Sequence, residues 1–240
     1  MKNYVAVDLE MTGLHPRKDR ILEIGGIKVE EGIAVDQFHR LVNPWMEISP
    51  EITELTGITN EMVKEGCEAE KAVTEFREFA EGFPLIGHNI LFDYSFLKQY
   101  SVNYGYSFEK EGVDTLKLAR KFLPEAEKKT LDYLCGYLQI PRKKNHRALE
   151  DAEAAGLLFR RLQGQFAAAD PEAFLPKPLQ YKVKKQGPAS PRQKRKLKEL
   201  AEWHNIELKV EIDSLTRNEV SRLTDKILSA YGRIPGRNTV

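Results

Sequence analysis

Apolar residues in the first 42 positions fall into three short segments. Residues 3–9 form a compact apolar run, residues 20–30 form a longer one, and residues 33–42 alternate between apolar and polar side chains. Runs and alternation of this length predict three β-strands, the first of which is buried. Glu31-Gly32 separates the second segment from the third, so we expect a turn there.

Beyond residue 68 the apolar residues recur at helical spacing, as Ala152, Phe159 and Leu162 do. Strands followed by alternating helices and strands argue for a mixed sheet flanked by helices, which is an α/β fold. The predicted helices are residues 68–81, 90–102, 115–122, 130–138 and 147–163, with a short strand at 84–87.

The pattern changes after residue 165. Prolines such as Pro176 and Pro188 interrupt any regular element in residues 166–189, which we interpret as a semi-rigid linker. Residues 1–165 then form the main domain, and residues 190–240 form a small C-terminal module.

Two helix start signals lie in this module. Ser190 and Pro191, followed by Gln193, match an N-cap, a first-turn proline and a capping box. Thr216 and Glu219 repeat the capping pattern. With the extended stretch between them, the two helices predict a helix–extended–helix module.

Composition narrows the class of protein. The 240 residues include two cysteines, Cys67 and Cys135, in no C-x-x-C pair, so we expect reduced thiols rather than a disulfide framework or a zinc site. The N-terminal apolar run is too short for a signal peptide, and no apolar stretch approaches the ~20 residues that cross a bilayer. We therefore expect a cytoplasmic protein that has no membrane partner.

Charge is distributed unevenly along the chain. Residues 181–240 hold fourteen Lys and Arg against seven Asp and Glu, whereas the other 180 residues hold 23 against 29. A basic tail on an acidic body fits a polyanionic partner such as nucleic acid, and it fits a solvated surface helix equally well. The basic residues concerned are Lys182, Lys184, Lys185, Arg192, Lys194, Arg195, Lys196 and Lys198.

Asp8 and Glu10 lie two residues apart at the end of the first predicted strand. Both side chains therefore point to one face, with their Cα atoms roughly 6.5 Å apart. Carboxylates this close repel each other unless a cation lies between them or one is protonated. A divalent metal ion would resolve the conflict, although an isolated pair of this kind more often has one member in solvent.

Two further segments carry candidate chemistry. Asp93 lies in the first turns of a predicted helix, where it could serve the helix dipole alone. His146 precedes Asp151 by five residues, which separates them by about 140° within a helix. They can converge only if His146 lies on the loop before the helix, and a histidine there is more often a capping or surface residue.

Three motifs together resemble the DnaQ-like DEDDh family of 3′–5′ exonucleases, which includes the proofreading epsilon subunit of bacterial DNA polymerase III. They are Val7-Asp8-Leu9-Glu10-Met11-Thr12-Gly13-Leu14, His88-Asn89 through Asp93, and His146-x4-Asp151. Arg147 occupies the position at which the tyrosine branch of the family has Tyr. The resemblance covers residues 3–163 and implies a ribonuclease H-like, five-stranded mixed sheet.

The resemblance also implies a reaction and its metal ions. Two divalent ions, Mg²⁺ with Mn²⁺ as a substitute, would be held by four acidic residues, and His146 would act as the general base. The expected activity is hydrolysis from the 3′ end of single-stranded or frayed DNA, releasing nucleoside 5′-monophosphates. A polymerase or repair partner is expected with it. The implied metal ligands are Asp8, Glu10, Asp93 and Asp151.

The same resemblance implies substrate contacts. The Met11-Thr12-Gly13 backbone would lie near the 3′ hydroxyl, and Leu14 and Phe96 would pack on terminal bases, although core packing explains Phe96 equally well. Thr56 stands where the proofreading subunit has histidine. The implied set is Met11, Thr12, Gly13, Leu14, Glu51, Thr56, His88, Asn89 and Phe96.

Two other functions stay open at this stage. An RNA-trimming exoribonuclease of the same family would carry the same motifs, because the hydrolysis itself does not read the 2′ hydroxyl. A catalytically silent nucleic-acid-binding or polymerase accessory protein would not need all four acids and the histidine. The C-terminal module could bind nucleic acid or dock onto a protein.

Overall fold

The structure is a computed structural model that describes residues 1–142 and 147–234. It divides into two compact units. The main unit comprises Met1–Pro44 and Ile48–Val183, and the C-terminal unit comprises Trp45–Glu47 and the chain from Lys184 onward.

The main unit is built on a mixed β-sheet. β1 pairs antiparallel with β2 and parallel with β4, and the strand order is β3-β2-β1-β4-β5-β6. The mixed α/β fold predicted from the sequence is confirmed. The strands are β1 Tyr4–Met11, β2 Ile21–Glu30, β3 Ile33–Leu41, β4 Leu85–Gly87, β5 Glu111–Asp114 and β6 Lys177–Pro178.

The turn predicted at Glu31-Gly32 is confirmed. Glu31 has a φ of 48° and Gly32 a φ of 82°, so both central residues are left-handed. This is the combination that a type I′ hairpin turn requires, and its twist matches that of the flanking strands. The register of β2 on β3 follows from this turn.

The five helices predicted in the main domain are present. Two others, α1 and α2, were not predicted: α2 has only five residues, and Ile52 and Leu55 are too few apolar positions to give α1 a helical periodicity. The helices are α1 Pro50–Thr56, α2 Asn60–Lys64, α3 Ala69–Phe79, α4 Ile90–Asn103, α5 Thr115–Phe122, α6 Leu131–Tyr137, α7 Ala148–Phe166, α8 Pro191–Trp203 and α9 Arg217–Tyr231.

Strand β1 separates two hydrophobic cores. Val5 and Val7 pack in a core shared with α3 and α4, whereas Tyr4 and Ala6 pack in a core shared with α5, α6 and α7. Because side chains alternate along a strand, Asp8 and Glu10 continue the Tyr4–Ala6 face toward α7. The alternation of β1 therefore decides where both carboxylates lie.

The five-stranded sheet implied by the resemblance is wrong by one strand, since the described residues form six. The extra strand is β6, which pairs antiparallel with β5 and comes from the segment interpreted as linker. Just before it, Phe174 is 2% exposed and stacks on Phe122 with 5.4 Å between ring centroids. Prolines suggested a linker, but an edge strand tolerates Pro178 because proline need not donate to a neighbour.

The C-terminal unit has its own small core, formed by residues such as Leu197, Leu215 and Ile227. Both predicted helix starts are confirmed, because α8 and α9 each begin with a complete capping box. Trp45–Glu47 belongs to this unit, where the Trp45 carbonyl accepts a 2.8 Å hydrogen bond from the amide of Glu211. Among the described residues, no helix combines the length and apolar character needed to cross a membrane.

Candidate active site

Three of the four predicted acidic residues meet at the end of β1. Each of Asp8, Glu10 and Asp151 offers a carboxylate oxygen that lies within 4.8 Å of the other two. Asp8 and Glu10 come from one face of β1, and Asp151 comes from the first turn of α7. Glu10 and Asp151 are buried, and Asp8 is half-buried.

The fourth acid, Asp93, is bonded to the same end of β1. It lies in the first turn of α4, directly after β4, and its Oδ1 accepts a 3.1 Å hydrogen bond from the amide of Leu9. Leu9 is the residue between Asp8 and Glu10. The parallel pairing of β1 with β4 thus brings Asp93 to the end of β1 that carries Asp8 and Glu10, and α7 adds Asp151 there.

Burial and mutual repulsion make these carboxylates hard to ionise. Burial, followed by the nearby charges of Asp93, Glu10 and Asp151, raises the pKa of Asp8 well above its usual value. Burial and then Asp151 raise the pKa of Glu10 to about 8, and burial raises the pKa of Asp93 to about 8.

This donor set fits a divalent cation. A bound cation would offset the repulsion that raises these pKa values. The donors are carboxylate oxygens, which suit Mg²⁺ or Mn²⁺ better than metals that prefer nitrogen or sulfur.

An arginine that the sequence analysis did not identify contacts the cluster. The guanidinium of Arg142 donates to Asp151, and it donates to Asp132 at 3.3 Å. Its positive charge also lowers the pKa of Asp8, against the larger effects that raise it. Arg142 lies in a loop, where no periodicity marks it.

A second unpredicted group holds the start of α7. Glu23, fully buried on β2, accepts hydrogen bonds from Arg147 Nη2 at 2.6 Å, the Ala148 amide at 2.9 Å and His39 Nε2 at 2.6 Å. Burial alone would raise the pKa of Glu23, but the hydrogen bonds from His39, Arg147 and Ala148 lower it to about 2. In the sequence, Glu23 could have been recognised as an acidic residue inside an apolar run.

The predicted general base, His146, lies outside the described residues. Arg147, the next residue, is the N-cap of α7. The assignment of His146 therefore stays a prediction from the sequence.

The residues predicted to line the substrate path differ in accessibility. Leu14 is 73% exposed, whereas Met11 is buried in the core. Thr12 and Gly13 are half-buried, and Thr12 Oγ1 accepts a 2.9 Å hydrogen bond from the amide of Arg20. Phe96 is fully buried and packs edge-on against Phe92, so the structure assigns it to the core.

Thr56 and His88 are occupied by contacts within the protein. Thr56 is buried, and its hydroxyl donates to the carbonyl of Ile52 at 2.8 Å and accepts from the amide of Ile58 at 3.1 Å. The ring nitrogens of His88 contact Thr115 Oγ1 at 3.0 Å and the Lys129 carbonyl at 2.7 Å.

Glu51 and Asn89 are both exposed. Asn89 also adopts a left-handed conformation before α4, and its amide donates to Asp114 Oδ1 at 3.0 Å. Of the residues predicted to touch substrate, Leu14, Glu51 and Asn89 are therefore the open ones.

Comparison with known proteins supplies the family. Residues 5–159 match the RNase_T exonuclease family model. The chain is 38% identical over 159 residues to the PolC-type DNA polymerase III of Caldanaerobacter subterraneus subsp. tengcongensis, and equally to that of Thermotoga maritima. These alignments cover 66% of this chain and 11% and 12% of the relatives, so the chain spans about a tenth of the length of the curated relatives it matches.

Solved structures share the fold. Escherichia coli Exonuclease I in complex with a dA16 oligonucleotide superposes with a TM-score of 0.60 at 18% identity, covering 72% of this chain and 42% of that one. Exonuclease X in complex with 5′ overhanging duplex DNA gives 0.55 at 24% identity, covering 68% and 93%.

The mixed sheet flanked by helices is the fold that these exonucleases share. The chain belongs to the RNase_T exonuclease family, and the resemblance seen in its motifs is confirmed.

Proposed function

We propose that this protein is a metal-dependent 3′–5′ exonuclease that hydrolyses DNA from its 3′ end. One observation carries the proposal: Asp8, Glu10 and Asp151 bring carboxylate oxygens within 4.8 Å of one another, with Asp93 bonded alongside. A protein does not stabilise itself by crowding like charges in a buried site. Crowding of this kind is typical of sites built to hold cations.

Asp8, Glu10, Asp93 and Asp151 would hold two divalent ions, Mg²⁺ by default and Mn²⁺ as a substitute. When bound, such ions activate a water molecule and stabilise the leaving 3′ oxygen. The chain's own contribution is to fix its carboxylates on β1, α4 and α7. In this proposal His146 accepts a proton from the attacking water, since a histidine titrates near neutral pH.

The accessible residues suggest how a strand end is bound. Leu14 follows Glu10 by four residues in the sequence and is 73% exposed. It would pack against a terminal base, and apolar contacts of this kind tolerate any base. Glu51 and Asn89 would contact the terminal nucleotide, while the backbone of Met11, Thr12 and Gly13 lies near its sugar.

Relatives favour DNA as the substrate. The curated relatives are named as DNA polymerase III, and the two structural neighbours are complexes with DNA. We therefore propose single-stranded or frayed DNA as the substrate, and a polymerase or repair complex as the context in which the enzyme works.

The C-terminal unit would bind the nucleic acid beyond the site. Of its predicted basic residues, Lys194 is partly occupied by Asp213, at 2.9 Å. Cations that neutralise phosphates supply affinity without sequence preference. The exposed basic residues of this unit are Lys184, Lys185, Arg192, Arg195, Lys196 and Lys198, and Lys182, at the end of the main unit, is exposed as well.

Degradation of end-labelled oligonucleotides tests the proposal. Matched single-stranded DNA, duplex DNA and RNA, each labelled at the 5′ end, are incubated with the protein and Mg²⁺. A 3′–5′ enzyme shortens the labelled strand in single-nucleotide steps, and a phosphorothioate at the 3′ terminus slows it. Release of the label as a mononucleotide in the first turnovers would show that the enzyme degrades DNA from the 5′ end instead.

Two further outcomes of the same assay distinguish the alternatives. Faster degradation of RNA than of DNA would favour the exoribonuclease. A silent binding protein would retain the oligonucleotides in a mobility-shift assay but shorten none of them.

A further inference from the structure

The first turn of α7 lies directly on strand β2. A Cβ atom added to Gly25 would come within 2.2 Å of the Ala148 carbonyl carbon and 2.3 Å of the Leu149 nitrogen. A side chain at this position would therefore displace the helix. Two residues earlier, on the same face of β2, Glu23 accepts hydrogen bonds from three donors at the start of α7, which are Arg147 Nε, Arg147 Nη2 and the Ala148 amide.

Through α7, these hydrogen bonds act on the position of Asp151, one of the three clustered carboxylates. Asp151 is one turn beyond Arg147, and its amide donates a 2.9 Å hydrogen bond to the Arg147 carbonyl. Arg147, as the N-cap, thus fixes the turn that carries the Asp151 carboxylate. On the neighbouring strand, Glu23 is the register partner of Glu10.

We infer that Glu23 is a positioning residue, which through its ion pair with Arg147 seats the start of α7 so that Asp151 meets Asp8 and Glu10. The inference rests on the proposed function for its catalytic consequence. Glu23 would touch neither the metal ions nor the substrate. It would set the distance between ligands that belong to two separate elements.

An ion pair can fix the orientation of α7, whereas an apolar contact would not. Dispersion contacts are weakly directional, whereas Arg147 Nε and Nη2 both donate to Glu23 in a fork that allows few orientations. The Ala148 amide adds a third donor from the helix terminus, where backbone amides otherwise lack partners. An acidic residue on β2 can therefore fix both the position and the rotation of α7.

His39 provides a matched control. It contacts the same carboxylate as Arg147 does, at 2.6 Å, but it comes from β3 and is no part of α7. The variant His39→Gln perturbs Glu23 and leaves the Arg147 and Ala148 bonds in place. Glu23→Gln removes the charge that holds those bonds.

The experiment measures Mn²⁺ affinity calorimetrically, and backbone hydrogen exchange of the metal-free protein, for the wild type, Glu23→Gln and His39→Gln. We expect Glu23→Gln to weaken Mn²⁺ binding about 10- to 100-fold, as loss of a residue that orients metal ligands does. Exchange at the amides of Ala148 and Asp151 should accelerate. His39→Gln should stay within about threefold of the wild type in affinity.

Equal Mn²⁺ affinity in Glu23→Gln and the wild type would overturn the inference, as would an equal loss in His39→Gln. If Glu23→Gln does not fold, Arg147→Lys takes its place in the experiment, and the same outcomes apply. Lysine keeps the positive charge but lacks the two parallel N–H donors of the guanidinium. The double variant Glu23→Gln/Arg147→Gln should bind Mn²⁺ no more weakly than Glu23→Gln alone, because both changes remove one interaction.

Failure of the proposed function is a separate result. A wild type that binds Mn²⁺ but hydrolyses no nucleic acid would refute the exonuclease proposal and leave the test of Glu23 intact. In an active enzyme, Glu23→Gln should lower kcat at saturating Mn²⁺ while KM for the oligonucleotide changes little, since Glu23 does not touch substrate.

Discussion

At the scale of single residues, the site is defined by carboxylates that their surroundings make costly to ionise. Burial is the largest cause of the raised pKa at Asp8, Glu10 and Asp93, and neighbouring carboxylates add to it at Asp8 and Glu10. Glu23 experiences the same burial, yet its pKa is low because donors surround it. Acids close together in the fold thus take opposite roles, according to what faces them.

Asp8→Asn should reduce hydrolysis by at least about 10³-fold, because it would remove a proposed metal ligand and its negative charge. Thermal stability without metal should be unchanged or slightly higher, since one source of repulsion is gone. Activity on labelled DNA and melting in chelator measure the two effects. The exposed strand residue Asp36, changed to Asn, serves as the control; robust activity in Asp8→Asn would contradict the ligand assignment.

Stability of the metal-free protein should fall as pH rises from about 5 to about 8.5. Glu10 and Asp93 have a pKa of about 8 when folded, far above that of a free carboxyl group. The folded state therefore binds more protons across this window, and the free energy of unfolding decreases with pH. Melting temperatures in chelator measure the decrease, which added Mg²⁺ should reduce. A metal-free stability that rises over this range would contradict these shifts.

His146→Ala should lower kcat by roughly 10²–10⁴-fold, the usual contribution of a general base, with little effect on substrate binding. The acidic limb of the pH–rate profile should disappear, since it would report ionisation of this histidine. His15→Ala, which alters an exposed histidine close in sequence to the first motif, is the control. An unchanged acidic limb would make His146 a positioning group instead.

At the scale of elements, a proline-rich segment that shows no regular pattern in the sequence extends the sheet. Residues 171–178 pack Phe174 into the core beside α5 and α7 and then add β6 to the sheet edge. Frequent prolines concealed this, because edge strands and 3₁₀ turns both accept proline. The main unit consequently continues to Val183.

Phe174→Ala should cost about 3–5 kcal/mol of stability, as removal of a buried aromatic ring does. The adjacent Leu175 is 57% exposed, so Leu175→Ala should change stability by less than about 0.5 kcal/mol. Denaturant unfolding measures both. Equal effects of the two substitutions would mean that this segment does not belong to the core.

At the scale of the whole molecule, charge is divided between two units. The carboxylate cluster lies in the main unit, whereas most of the basic segment lies in the C-terminal unit. In the proposed function, phosphate attraction and hydrolysis would therefore respond to different substitutions. Substitution within the full chain is the cleaner test, because Trp45–Glu47 is part of the C-terminal unit and truncation would leave it without Glu211.

Changing Arg195, Lys196 and Lys198 to Gln should weaken binding to long DNA and flatten its salt dependence. Removing the cation from one bound phosphate lowers the slope of log affinity against log salt concentration by about 0.7–0.9. Hydrolysis of a dinucleotide should barely change. Binding titrations at several salt concentrations provide the slopes.

The control for this experiment changes Lys64, Lys71 and Lys128 to Gln. These residues are exposed on the main unit, and their substitution removes the same amount of positive charge. Identical slopes for the two triple variants and the wild type would assign the C-terminal unit to protein docking instead.

The sequence by itself determined many of the elements and the candidate acidic residues of the site. Periodicity located β1 to β4 and the longer helices, because local alternation follows directly from which face is buried. Capping residues marked the starts of α8 and α9, since a cap depends only on residues within one turn. The joint spacing of three acidic motifs identified the family.

Only the tertiary structure decided what surrounds those acids. Glu23 and Arg147 are 124 residues apart, and nothing local to either predicts that one will orient the other. β6 is a strand only because β5 offers it an unpaired edge, and Phe96 is a core residue only because α4 turns it inward. Such contacts depend on how distant elements pack together, and packing is a property of the folded chain rather than of any one segment.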